Sequence, residues 1–419
     1  MEDAVTGSPA AIPVAGRTGP LSSGLSPGLS PGLLVTGASA IVLALYLQTA
    51  IGWRQAALFL VGTFAGVVLY HAAFGFTSAW RLFIADRRGA GLRAQMLMLA
   101  ITCAVFFPLL AAGSIFGQPI RGSIAPPGVS VIAGAFLFGI GMQLGGGCAS
   151  GTLFTAGGGN TRMVITLLFF MLGALVQTSH AHMWTSLPAW QPTSLVTVAG
   201  PWLGLIVSFA LFGGIAWMTR VAEIRAHGRL VDESPAPPSA AYNWRWLRGP
   251  WPLVAGAIGL AIVNIATLML AGRPWGVTSA FALWAAKGAT MAGVDVGSWT
   301  YWTEAGRAAA LRQSVFADVT SVMDFGIILG AMLAAILANR FRPTLKISGG
   351  SLAAAIIGGL LLGYGARAAY GCNIGAYFSG IASGSLHGWF WLVAAFAGNA
   401  VGTSLRPLFG LSVERTRVC

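Results

Sequence analysis

Long apolar runs, broken by short polar or glycine-rich stretches, occupy almost the whole chain. They are too long and too continuous for the period-two alternation of barrel strands. A run of about 20 apolar residues spans a bilayer as a helix. The pattern predicts spans near 32–52, 55–76, 94–116, 128–147, 161–183, 197–220, 250–272, 313–339, 350–370 and 386–406. The expected fold class is all-α, a polytopic membrane protein of about ten spans.

The polar interruptions define the organisation. Residues 1–31, with the stretch LSSGLSPGLSPGL, form a Ser/Pro/Gly-rich tail expected to be disordered and not a cleaved signal. The charged, then proline-rich segment 221–249 reads as a linker between membrane units 32–220 and 250–406, with a tail at 407–419. Basic residues sort by loop. Arg81, Arg87, Arg88, Arg93, Arg162, Arg220, Arg340, Arg342 and Arg406 fall on one side, and Arg54, Arg121, Arg273, Lys287, Arg307 and Arg312 on the other. The richer side is expected to be cytoplasmic, with both termini there, in the inner membrane of a bacterium.

Composition narrows the class further. The chain is 56% hydrophobic and only 8% charged, against about 25% charged in soluble domains. A net charge of +13 would suggest nucleic acid in a soluble protein, but no basic soluble domain exists to bind it. Loop arginines account for the excess.

Two stretches repeat. GIGMQLGGGCASG begins at Gly139 and GYGARAAYGCNIG at Gly363; both read GxGxxxxxGCxxG, offset throughout by 224 residues. A weaker pair, FGFTSAW at 74–80 and WGVTSAF at 275–281, shares G-x-T-S-A and precedes each cysteine motif. The span counted into Cys148 starts outside and the span into Cys372 starts inside, so the copies are expected to be inverted. Inverted repeats place transport sites between broken helices.

The motifs suggest a chemistry. Glycine interruptions are expected to free backbone groups and start half-helices at CASGTLFTA and CNIGAYFSG, whose N–H groups would attract an anion. The candidate path residues are Cys148, Cys372, Gly147, Gly151, Gly371, Gly375, Asn373, Gly75, Thr77, His387 and Arg367, with Asp324 the expected ion-pair partner of Arg367. Gln143 holds the equivalent position in the first copy. Cys103 reads as an apolar filler. Neither the four cysteines nor His180 and His182 have metal-ligand spacing. No metal or cofactor is expected.

Together, GCASGTLFTAGGGN, GYGARAAYGCNIGAYFSGIASGSLHGW and FGFTSAWR resemble the YeeE/YedE family of bacterial inner-membrane sulfur transporters, over most of residues 55–406. The resemblance implies an hourglass-like helical protein whose re-entrant half-helices meet at the membrane centre. It implies thiosulfate uptake, with cysteines relaying the ion, and a small cytoplasmic sulfur-carrier partner of the TusA type. Some members are linked to selenium. Cys148 and Cys372 match the second and third family cysteines, while Gly75 stands where the first would be. The expected function is uptake of thiosulfate or a similar small sulfur anion, and not an enzymatic activity. A membrane thiol oxidoreductase, a membrane subunit for a sulfur carrier and a selenium transporter are the alternatives.

Overall fold

The computed structural model describes residues 31–231, 245–343 and 346–414. The tail 1–30, the linker centre 232–244 and Cys419 lie outside the described residues. The described residues form a helical bundle with one hairpin of two-residue strands. In order come Pro31–Ala50 (α1), Trp53–His71 (α2), Phe76–Asp86 (α3), Ala90–Ala112 (α4), strands Ser114–Ile115 (β1) and Gln118–Pro119 (β2), Val129–Gly145 (α5), Ala149–Gly157 (α6), Thr161–Ser179 (α7), Ala181–Thr185 (α8), Leu195–Val198 (α9) and Gly200–His227 (α10). The second part holds Arg245–Arg248 (α11), Leu253–Ala271 (α12), Thr278–Met291 (α13), Ala305–Arg312 (α14), Val319–Leu337 (α15), Gly349–Ala368 (α16), a π-turn Asn373–Phe378, Ser379–Ala382 (α17) and Leu386–Leu405 (α18).

Among the described residues, nine stretches are long and apolar enough to cross a membrane, so this is a multi-pass membrane protein. The tenth expected span is the 20-residue α18, with His387 and Asn399 buried inside it. Two expected boundaries shift. Helix α10 continues to His227, past the expected linker start at 221, because buried Glu223 accepts from Arg93 Nη1 at 2.6 Å and from the amides of Gly89 and Val231. Helix α15 starts only at Val319, where Asp318 caps it by accepting from Ser321 N at 2.7 Å.

The packing is paired. Helix α2 packs on α15 as α12 packs on α4, and α7 packs on α16 as α18 packs on α5. Helix α13 lies on α7 as α3 lies on α18. Contacts α2–α12 and α5–α16 join like to like. Helices α2, α5, α7, α15, α16 and α18 thus find their main neighbour in the other half of the chain, whereas α10 packs on α4 and α1 on α2.

Small residues make this approach possible. Helices in lipid gain little from burying apolar surface against each other, so close backbone packing must hold them. A Cβ added at Gly139 would lie 2.2 Å from Ala395 O, and one at Gly363 would lie 2.0 Å from Phe170 O. The next motif glycines serve the α5–α16 crossing, with Gly141 closed by Gly358 O at 2.9 Å and Gly365 by Gly134 O at 2.5 Å. The leading glycines of both motifs are therefore crossing points inside regular helices, and do not open the backbone as the sequence suggested.

Candidate functional site

Each cysteine motif breaks a helix and starts another. Helix α5 ends on Gly146 in the left-handed region (φ 91°), and Cys148 in extended conformation caps α6. Its Sγ accepts from Gly151 N and lies 3.4 Å from Ser150 Oγ. A Cβ on Gly151 would lie 3.4 Å from this sulfur, at ordinary contact distance. In the second copy Tyr370 (φ 59°) and Gly371 (φ 155°) make the break. Cys372, also extended, opens the π-turn without a side-chain cap bond. The first stretch, CASGTLFTA, is the cap and most of the nine-residue helix α6. The second departs from expectation: Cys372 O accepts from Ala376 N and Tyr377 N, and this shared acceptor widens the first turn beyond α geometry.

Two further short helices, α3 and α13, begin at the G-x-T-S-A pair, after breaks at 72–75 and 272–277. The apolar pattern predicts no helices there, and the repeated motif is their signal. Four helix starts now converge, at Gly75, Cys148, Val277 and Cys372. A Cβ on Gly375 would come 4.0 Å from the Cα of Gly276, and one on Gly276 would meet nothing within 4 Å. Around them Phe76 and Trp80 pack edge-on to Tyr377, and Trp391 stacks on Tyr377. Both thiols belong to this continuous core, and Cys372 lies within electrostatic reach of Cys148.

Several buried polar atoms here have no partner. They are Thr77 Oγ1, both amide atoms of Asn373 and Trp275 Nε1. Buried polar groups are normally satisfied, so this concentration at three of the helix starts marks a polar site within apolar walls. A cavity of about 90 Å³ lies beside Gly75, lined also by Phe74, Ser78, Gln95 and Leu253.

The remaining candidates separate. Arg367 does not pair with Asp324, whose two carboxylate oxygens have no partner. It stands in the last turn of α16, donates from Nη2 to Tyr301 Oη and lies over that ring, which Arg307 covers at 4.0 Å. The sequence could not show that the loop between α13 and α14 folds back to supply this phenol. Gln143 has a different setting: it accepts from Arg81 Nη1 and donates to Thr77 O, tying α5 to the start of α3. His387 Nδ1 lies 2.7 Å from Ser385 Oγ, and its ring backs onto Gly380, where a Cβ would meet Cε1 at 2.8 Å. That makes it a brace for α17. Gly147 and Gly371 let the chain fold over the next turn, with Cβ positions 3.1 Å from Gly151 C and 2.8 Å from Ala376 N. Cys103 is fully buried in the core, with Sγ 3.8 Å from Ile381 O. Among the described residues, no cluster of histidine, cysteine and acidic side chains could hold a metal.

The sequence profile described as Sulphur transport matches residues 71–401. The chain is 28% identical to the thiosulfate transporter TsuA of Spirochaeta thermophila over 81% of this chain and 95% of that protein. It is 23% identical to TsuA of Escherichia coli K12 over 80% and 90%. It is also 31% identical to the probable transporter YedE of Escherichia coli K12, over 42% of this chain and 44% of the relative, so it spans less than half of YedE. With a profile match running from α2 into α18, the chain belongs to the sulphur transport family.

Proposed function

We propose that this protein carries thiosulfate, or a sulfur anion of similar size, across the bacterial inner membrane into the cell. The observation that carries the reading is the pair of cysteines starting short helices at equivalent breaks, beside the unpartnered polar atoms of Thr77 and Asn373. Helix N-termini favour an anion by about 0.3–1 kcal/mol each when exposed and up to about 2 when partly buried. Several such starts hold a small anion without trapping it. The thiols add soft, polarisable contacts suited to a sulfur atom.

In this reading 32–220 and 250–406 are inverted repeats, Gly147, Gly151, Gly371 and Gly375 line the path, and Arg367 with Arg307 draws anions to its outer mouth. Both termini face the cytoplasm, where a small sulfur-carrier protein receives the product. The names of the TsuA relatives, matched along nearly their whole length, support thiosulfate as the substrate.

The test is uptake of radiolabelled thiosulfate into proteoliposomes. Cys148→Ala and Cys372→Ala are each expected to cut uptake roughly tenfold or more, since about 1.4 kcal/mol of lost recognition suffices. Cys103→Ala serves as the packing control. Equal uptake by all three folded variants would sink the role of the thiols, and no uptake by the wild type would sink the function.

A further inference from the structure

Asp324 is fully buried within α15, and neither carboxylate oxygen has a hydrogen-bond partner. Its position is not incidental. Residues 320, 324 and 328 share one face of the helix. At one end of this strip Thr320 Oγ1 accepts from Arg273 Nη2 and Ser279 Oγ, each at 3.0 Å, at the start of α13. At the other end Gly157, closing α6, packs on Ile328 O. Asp324 therefore lies between two of the converging short helices, within electrostatic reach of Cys372.

Among the described residues no cation pairs with it, and Arg248 of α11, a helix that also packs on α15, is exposed. Arg273, one turn away, is bonded to Thr320. From α13, Lys287 donates to Leu311 O and Gln313 O. On α2, Arg54 lies over Trp53 and His71 packs on Trp251; on α1, Tyr46 packs on Phe316. Helix α6 offers only Cys148 at its start. On α15 itself, Asp318 is a second acid, bonded to Ser321. A bare carboxylate in such a place is costly, and taking up a proton removes the cost.

The other half carries a contrasting residue. Asp324 is the sixth residue of α15 and Gln95 the sixth of α4, the helix in the paired position. Gln95 is also buried, accepts from Trp80 Nε1 at 2.9 Å and leaves its Nε2 unpartnered. An amide cannot take up a proton at physiological pH; an acid can.

We propose that Asp324 is a proton-binding residue that couples the entry of the sulfur anion to proton movement. This rests on the functional reading above. The carboxyl takes a proton from the outer side as the anion enters, which avoids two bare negative charges in one apolar core. It returns that proton to the inner side once the anion has left.

The experiment uses proteoliposomes with pyranine in the lumen and radiolabelled thiosulfate outside, so that anion and proton are read separately. The wild type is expected to acidify the lumen as thiosulfate enters, faster at lower external pH. Asp324→Asn, close in shape, is expected to lose pH-gradient-driven uptake by about tenfold or more while keeping thiosulfate exchange that no longer depends on pH. Asp324→Glu should restore proton movement. Wild-type uptake that leaves lumen pH unchanged overturns the proposal, whether or not the variant folds. So does an Asp324→Asn protein with the wild-type ratio of protons to thiosulfate. Absence of any thiosulfate uptake by the wild type overturns the functional reading and this proposal with it.

Discussion

The two cysteine breaks share one backbone plan and solve it with different chemistry. At the first, the last carbonyls of α5 are held by arginines: Arg406 Nη1 donates to Gln143 O, and Arg162 Nη1 and Nη2 to Gly145 O and Leu144 O. At the second, Ser130 Oγ donates to Ala368 O at 2.6 Å and Trp391 Nε1 to Gly371 O at 3.2 Å. Helix C-termini attract cations; arginines donate to the carbonyls of the first break, while at the second the donors are neutral and the cation of the last turn, Arg367, is turned to Tyr301. The left-handed residue is glycine in one copy and tyrosine in the other. The two halves share the crossings and the thiols, while the surroundings of each thiol differ, as do Gln95 against Asp324 and Gln143 against Arg367.

The largest expected effect tests what is shared. Gly139→Ala and Gly363→Ala push a methyl into backbone in opposite halves, and each should cost near the top of the ~1–3 kcal/mol typical of overpacking, with loss of monodisperse protein. Gly276→Ala, whose Cβ would meet nothing within 4 Å, should fold normally. Melting temperature by intrinsic fluorescence reads all three, and a strong effect in one half alone would break the symmetry of the packing.

A smaller effect tests the breaks. A left-handed non-glycine residue carries about 1–2 kcal/mol of strain. Tyr370→Gly should therefore raise stability by about 1 kcal/mol, less whatever the lost ring contributes. Gly146→Ala should lower stability, because its methyl would also stand 2.5 Å from Arg162 Nη1. Opposite signs in a thermal shift assay sharpen the contrast; like signs would remove it.

The smallest effect concerns a tether found in one half. Glu414 accepts from Arg81 Nε at 2.6 Å and Nη2 at 2.7 Å. Burial would raise its carboxyl, but these bonds outweigh that and hold it below the ordinary glutamate value of 4.5. A carboxyl depressed on folding contributes fully above the ordinary value and loses its contribution as pH falls through the folded one. Hydrogen exchange over 407–414 should speed up as pH drops below about 4.5, after correction for intrinsic rates. Glu414→Gln should show that faster exchange already at pH 7.

The spans were legible because lipid demands long apolar runs, and the cysteine pair because its spacing repeats. Helices α3 and α13 were not, since 11 and 14 residues fall short of a span. The partner of Arg367 was illegible for another reason. Asp324 was the nearest acid by hydropathy, but Tyr301 reaches the arginine through a loop whose path no local pattern encodes. The leading glycines were misread because a crossing and a break look alike in one dimension, and only the neighbouring helix tells them apart.

The crossings at Gly139 and Gly363 have a mechanical consequence. Each motif is clasped by the opposite half of the chain, α5 by α18 and α16 by α7. Bodies interlocked in this way have no clean seam along which to rock, because swinging one half as a unit would pry backbone from backbone at every clasp. The long helices are better suited to be the frame. Movement then falls to the short segments hung from it, and the two sulfur atoms ride on the ends of those segments.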